Sequence, residues 1–419
     1  MPNIFSYQNL SADFHFTHSQ RDFVVNEIPL YDFSGNGEHQ ILQIRKKGLS
    51  TFELVKILSA HFACPSKSIG YAGLKDKNAT TTQYLSIPKI YLKNKNIESS
   101  FEAISKKHEI KLISTTLHNN KIKLGHLKGN RFFVRLKKVT PINAKKIQSS
   151  LKIMEQSGFA NFFGFQRFGI NGENYKLGFA LDNKQKHNDL TIDFKDNVSQ
   201  SKAPKNKKMQ NFLRSSLQSY LFNEWLCIRL LLGRFGDFGF ADFINAINLS
   251  VKHNMTKSST KSNPLDSHTL QSRAFANLAN LSKNDLGKIY KTLQSQKMPF
   301  KLLDGDICSH YPHGRFFCIE KLDFSEVARF ETSEISPTGA LQGENLKTSK
   351  HIAHLCETPF LEIATKSSGA RRYAWVWAKE CESIYKEGEA QMELHFSLPS
   401  GAYATTMIEQ IAGKSLTKI

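Results

Sequence analysis

The chain has 419 residues, 40% of them hydrophobic, and carries a formal net charge of +20 with a pI near 9.5. That length allows roughly two or three domains with a full core, and the hydrophobic content excludes wholesale disorder. So positive a charge favours a phosphate backbone or an anionic membrane. No window is apolar enough to span a bilayer, and Met1-Pro2-Asn3-Ile4-Phe5 lacks a secretory pattern, so the charge points to nucleic acid. Six scattered cysteines without a Cys-x-x-Cys pair suit reduced thiols and a cytoplasmic location. Cys308, His310, His313 and Cys318 are metal-ligating types, but their spacing is wider than tetrahedral zinc sites use, and no metal is expected there.

In chain order, Asp22–Ile28 and Ile41–Arg45 read as strands, separated by the turn-rich Ser34–Gly37. Ser50 and Glu53 form a capping box that opens a helix, with Phe52, Val55, Leu58 and Phe62 expected on its buried face. Pro65 and Ser66 then break the chain before Gly70-Tyr71-Ala72-Gly73-Leu74-Lys75-Asp76-Lys77, and the β-branched Thr80–Ile87 follows as a strand. An acid on a short loop entering a strand has rigid support and still reaches solvent. Lys75 and Lys77 on either side of Asp76 attract a polyanion. Such a carboxylate suits a nucleophile or base acting on a nucleic acid, although a plain solvated turn has the same residues.

Lys121–Leu124 and Asn130–Leu136 read as the arms of a hairpin. Its Lys121, Lys123, Lys128, Arg131, Arg135 and Lys137 could bind phosphates or merely keep an outer face soluble. Thr140-Pro141 opens a helix with Ile147, Leu151 and Met154 inside. Asn161-Phe162-Phe163-Gly164-Phe165-Gln166-Arg167-Phe168-Gly169 is a second dense constellation. Aromatic faces stack on unpaired bases, and an arginine such as Arg167 contacts phosphate or stacks in turn. A Phe-packed core turn has the same composition. Residues 196–210 and 250–268 are polar and read as loops or linkers. Leu213–Leu232 reads as a helix with Leu217, Leu221, Trp225 and Ile228 on one face, Met392–Leu398 as a strand and Ala402–Ile411 as a helix. Strands and helices mix without regular βαβ spacing, which argues for an α+β fold.

Taken in order, these motifs closely resemble the TruD family of tRNA pseudouridine synthases. The likeness runs from Asp22-Phe23-Val24-Val25 with Glu27, through Gly70–Lys77 with Thr81-Thr82-Gln83, Leu127–Phe132 and Asn161–Gly169. It continues to Ser219–Asn223, Gly305-Asp306, Gly369 with Arg371-Arg372, and Leu398–Thr405. The resemblance implies a cofactor-free isomerase that converts uridine 13 of the tRNA D-arm to pseudouridine. Asp76 falls on the family's catalytic aspartate, Phe163 on the aromatic that packs against the target base, and Asn161 and Phe23 on other active-site positions. Lys75, Lys77 and Arg167 are expected beside them as substrate-binding residues. The resemblance also implies a V-shaped molecule. A pseudouridine-synthase catalytic domain (1–185 and 376–419) would carry a family-specific α/β domain inserted at 186–375, with the tRNA cleft between them. The expected partner is tRNA, with no membrane and no obligate protein partner, and the expected state is a monomer. Two positions depart from the family pattern. Where some members carry a basic residue before the Asp-Phe pair, His18 or Arg21 would have to serve, and Ala160 stands where proline is common. Charge and aromatics alone would also suit a non-catalytic tRNA-binding protein or RNA chaperone. A uridine methyltransferase would need a donor site, which nothing here resembles.

Overall fold

The structure is a computed structural model, and it describes residues 4–7, 10–93, 96–169, 171–183, 206–255 and 264–416. The chain divides into two compact units. A sheet unit holds Leu10–Gln156 with Trp377–Ala404, and a helical unit holds Ser157–Val376 with Met1–Asn9 and Thr405–Thr417. The mixture is α+β, as the pattern of the sequence predicts.

In the sheet unit the strands are His15–Phe16 (β1), Phe23–Pro29 (β2), His39–Lys46 (β3), Gly70–Tyr71 (β4), Thr80–Pro88 (β5), Ile110–His118 (β6) and Leu127–Lys137 (β7). Lys379–Lys386 and Gln391–Pro399 complete it. The main path runs Lys379–Lys386, Gln391–Pro399, β7, β2, β5, β3, β6, with β1 on β7 and β4 on β5. The predicted basic hairpin does not form. β7 lies between β2 and Gln391–Pro399, and its expected first arm is irregular. Ile122 is buried with Ile41, Ala72 and Leu127, and its N–H donates to the Ser86 hydroxyl at 2.9 Å instead of to a ladder partner. β6 has no counterpart in the sequence reading.

β2 and β5 pair in parallel, with Val24 opposite Thr80 and Asn26 opposite Thr82, and β3 runs antiparallel to β5 with Lys46 opposite Thr81. The segment entering β2, the loop entering β5 and the end of β3 therefore gather at one end of the sheet. A core of Leu42, Ile44, Leu54, Leu58, Phe62, Leu85 and Ile87 glues helix Thr51–Phe62 (α1) beneath it.

α1 starts with the full capping box, in which the Glu53 N–H donates to the Ser50 hydroxyl and the Ser50 N–H to the Glu53 carboxylate. Its buried positions are Thr51, Leu54, Val55, Leu58 and Phe62, which follow a helical repeat. Phe52 falls off that stripe and is 60% exposed, a correction to its expected place in the core.

The helical unit is built on Lys207–Phe235, which is buried without a break from Ser216 to Leu230, since it packs on several sides at once. Leu217, Leu221, Trp225 and Ile228 are inside as expected. A sheet ordered Phe316–Cys318, Ile307–His310, Ile335–Leu341, Ala370–Tyr373 packs with it, and Phe159–Ala160 pairs with Trp375–Val376. Asn206 caps the long helix, so 207–210 are helical rather than loop, while 196–205 lie outside the described residues. Of 250–268, the first six residues close helix Phe240–Met255, the last two open Ser267–Ala279, and 256–263 lie outside the described residues. No helix among the described residues is long and apolar enough to cross a membrane.

The capping box has a pH signature. Hydrogen bonds from Ser50 and Lys77 pull the Glu53 carboxyl from 4.5 down to about 2. A depressed folded-state pKa contributes stability that is whole above the ordinary carboxylate pKa and lost as pH falls towards about 2. Urea titrations should show Glu53→Gln less stable than the parent at neutral pH, with the gap closing on acidification through that window. A gap independent of pH would contradict the assignment.

Candidate active site

Asp76 stands on the loop between β4 and β5, and its side chain is 45% exposed. Around it gather groups from the three chain segments that the sheet register brings to this end. His18, just before β2, places Nε2 3.8 Å from Asp76 Oδ2. Burial holds that imidazole below its ordinary pKa, with the Asp76 charge opposing, so it is largely neutral at neutral pH. Arg21 is exposed. Phe23 opens β2 at 4% exposure and meets the His18 ring edge-to-face, with centroids 4.5 Å apart. Lys46, at the end of β3, is fully buried, and its Nζ donates to the carbonyl oxygens of Leu49 and of Asp76, the latter at 3.3 Å.

The two lysines beside Asp76 part company. Lys75 turns inward and pairs with Glu27 at 2.7 Å, both side chains nearly inaccessible, while Glu27 also accepts the Tyr84 N–H. The Lys75 N–H donates to the buried Thr51 hydroxyl at 2.9 Å. Lys77 stays exposed and pairs with Glu53 at 2.9 Å. The loop is thus tied to α1 and to β2, and of the two flanking ammonium groups only that of Lys77 faces solvent.

Asp22 fixes the entry to β2. Its nearly inaccessible carboxylate accepts from Lys137 at 2.6 Å and from the Ser19 hydroxyl, and lies 3.4 Å from Arg135. Burial alone would raise its pKa, but these partners outweigh it and hold the group ionised. Arg135 also bonds Glu393, which accepts from Lys386 as well. Arg131 lies 3.8 Å from Glu382, and Lys121 donates to the Lys67 carbonyl. Most of the expected phosphate-binding face is therefore engaged within the sheet unit, Arg131, Arg135 and Lys137 by carboxylates and Lys121 by a main-chain carbonyl.

The helical unit holds the second constellation. Asn161 is buried. It donates through Nδ2 to the Tyr373 carbonyl at 2.9 Å, and its Oδ1 accepts from Arg372 at 2.9 Å. Phe163 is 8% exposed. Its N–H donates to Asn223 Oδ1 and its carbonyl accepts from Asn223 Nδ2, a two-way amide clasp. The Arg372 guanidinium lies 3.8 Å from the Phe163 ring centre, and Phe222 meets the ring edge-on. Arg167 bonds the Ser219 hydroxyl and lies farther out, 5.7 Å from the same ring. Phe162, Phe163 and Phe165 border a cavity of about 390 Å³ whose other walls include Tyr175, Tyr220 and Glu409. Of the seven residues singled out from the sequence, Phe23, Lys75, Asp76 and Lys77 belong to the first constellation and Asn161, Phe163 and Arg167 to the second.

Sequence reasoning missed Lys46 and Arg372 as members of these clusters. Lys46 had a signal: it continues the inward alternation of Leu42 and Ile44. Arg372 appears only as part of a family motif, and nothing local foretells its stacking on Phe163.

The sheet unit thus presents an acid at the end of parallel-paired strands, and the other unit of this α+β chain carries an aromatic and amide cluster. Comparison with known proteins is more particular. The family description for tRNA pseudouridine synthase D (TruD) matches residues 5–190. The tRNA pseudouridine synthase D of Helicobacter hepaticus is 44% identical over 420 residues, covering 98% of each chain. That of Wolinella succinogenes is 40% identical over 416 residues, covering 99% of each. A solved structure described as a putative tRNA pseudouridine synthase D of Methanosarcina mazei superimposes with a TM-score of 0.57 at 20% identity, over 98% of this chain and 96% of that one, and shares the fold. The chain belongs to the TruD family.

The Lys75–Glu27 pair carries a stability consequence. Removing one partner of a buried ion pair strands the other charge and costs about 3–5 kcal/mol. Urea titrations should show Lys75→Met with an unfolding free energy lower by an amount in that range, and Lys77→Met with a far smaller loss, because its pair is exposed. Equal losses in the two variants would contradict this account.

Proposed function

We propose that the protein is a tRNA pseudouridine synthase that isomerises uridine 13 of the D-arm, without a cofactor, using Asp76 as the catalytic carboxylate. The observation that carries this reading is a solvent-reaching carboxylate, Asp76, on a braced loop, which the resemblance in sequence implies is the family's catalytic aspartate. Membership of the family over nearly the whole chain supports it.

The reaction breaks the N1–C1′ glycosidic bond, turns the uracil and joins C5 to C1′. The proton lost from C5 is matched by one gained at N1, so nothing is oxidised and no phosphate energy enters. One ionised carboxylate can serve, either attacking C1′ as a nucleophile or removing the 2′ proton to give a glycal. A uridine must first leave its stack at a cost of about a few kcal/mol, which stacking on an aromatic side chain offsets by about 1–3 kcal/mol. We assign that stacking to Phe163, with Asn161 holding the turn that carries it and Phe23 packed behind the segment that carries His18. Lys77 and Arg167 are the cations assigned to the RNA backbone, whereas Lys75 serves the loop from within.

In this reading residues 186–375 are the family's inserted domain. Their limits are set by likeness of order, and the compact units divide elsewhere, at Gln156/Ser157 and Val376/Trp377. The enzyme works on free tRNA in the cytoplasm as a monomer. The formal charge of +20 also supports plain RNA binding, so the test must separate the two.

Purified Asp76→Ala should form no pseudouridine in unmodified tRNA while binding that tRNA within about a few-fold of the parent. Turnover by this variant would remove Asp76 from the chemistry. Phe163→Ala should lower kcat by about 10- to 100-fold and change KM much less. Matching losses in both would mark a general packing defect instead.

A further inference from the structure

We propose that Lys46 is a positioning residue for Asp76: its buried ammonium joins the carbonyl of Asp76 to that of Leu49 and so fixes the loop that presents the acid. The inference rests on the reading of Asp76 as the catalytic carboxylate and deepens it.

Lys46 ends β3 on the same inward face as Leu42 and Ile44, where a hydrophobic side chain would be the ordinary occupant. Burying an ammonium is costly unless it is well partnered. Yet among the described residues no carboxylate lies within ion-pair distance of Lys46, and its partners are the two carbonyls. A methionine would fill the same space without that desolvation penalty, so the retained charge needs a reason.

The geometry supplies one. The remaining braces of the loop act on its neighbours: Thr51 on the Lys75 N–H, Glu27 on the Lys75 ammonium, Glu53 on Lys77. Among the described residues, the hydrogen bond that reaches the main chain of Asp76 itself is the one from Lys46. Burial draws the Lys46 ammonium down to about 8, while the charge of Asp76 resists that fall; Lys75 adds to it and Glu53 opposes it. The Asp76 charge thus favours the ammonium form, and Lys46 is linked to Asp76 both by bonding its carbonyl and by charge.

The test compares Lys46→Met, Lys46→Arg and Asp76→Asn in full-length protein, with unmodified tRNA as substrate. Lys46→Met should lower kcat by about 100-fold with KM within about threefold, since small misplacement of a reacting group is that costly. Hydrogen exchange of residues 72–79 should quicken about tenfold while β2 and β5 keep their protection. Lys46→Arg keeps donors for both carbonyls and should retain kcat within about tenfold. A Lys46→Met enzyme with kcat within about threefold of the parent overturns the proposal, as does exchange that quickens equally throughout the sheet. If Lys46→Met does not fold, a folded Lys46→Arg as inactive as Asp76→Asn overturns it instead. An active Asp76→Asn would remove the catalytic reading, and the exchange of 72–79 in Lys46→Met would then judge the clamp by itself.

Discussion

The parallel pairing of β2 with β5 is the constraint on which the sheet unit's site depends. Parallel neighbours share an entry end, so the segment before each strand emerges at the same place. With Val24 opposite Thr80, that place receives His18 from one segment and Asp76 from the other, and the antiparallel β3 delivers Lys46 to it from the opposite direction. A slip of one residue would turn each strand's side chains to the wrong face. The register is held by burial, through Ile44, Leu85 and Ile87 over α1, and by charge, through Asp22 tied to Lys137 and Arg135 on β7. Packing of a hydrophobic layer and pairing of a few charges thus decide where one carboxylate stands.

Charge in this protein does two kinds of work. The surplus of cations favours association with a polyanion, a long-range and salt-sensitive effect. Close to Asp76 the charges are local and structural. Lys75 is buried against Glu27 and Lys46 against two carbonyls, while Lys77 pairs with Glu53 at the surface. Of the cations beside the acid that reaches solvent, Lys46 and Lys75 hold the fold and Lys77 faces solvent. In the helical unit the guanidinium of Arg372 does the equivalent for an aromatic, covering the Phe163 ring while bonding the Asn161 turn beside it.

Much of this was legible in the sequence where the signal is local. The Ser50–Glu53 capping box, the Thr-rich β5, the Thr140-Pro141 helix start and the strand at the C-terminal end all follow from short patterns, and they are present. The errors fall where tertiary context decides. Phe52 shares the composition of the α1 stripe but misses its phase by one position and stays exposed. Lys121–Leu124 alternates like a strand, yet burial of Ile122 and a hydrogen bond to Ser86 hold it in an irregular path. Lys75 and Lys77 look alike in sequence, and only the buried Glu27, far away in the chain, distinguishes them. The order of the motifs carried the family, because order over a whole chain is far more specific than any motif within it.

The central claim is that Asp76 is presented to a uridine of tRNA and rearranges it. The most direct measurement is chemical mapping of pseudouridine in unmodified tRNA after incubation with the purified wild-type protein. The account predicts one new pseudouridine, at position 13 of the D-arm. Binding that weakens steeply with salt but leaves every uridine unchanged would contradict it.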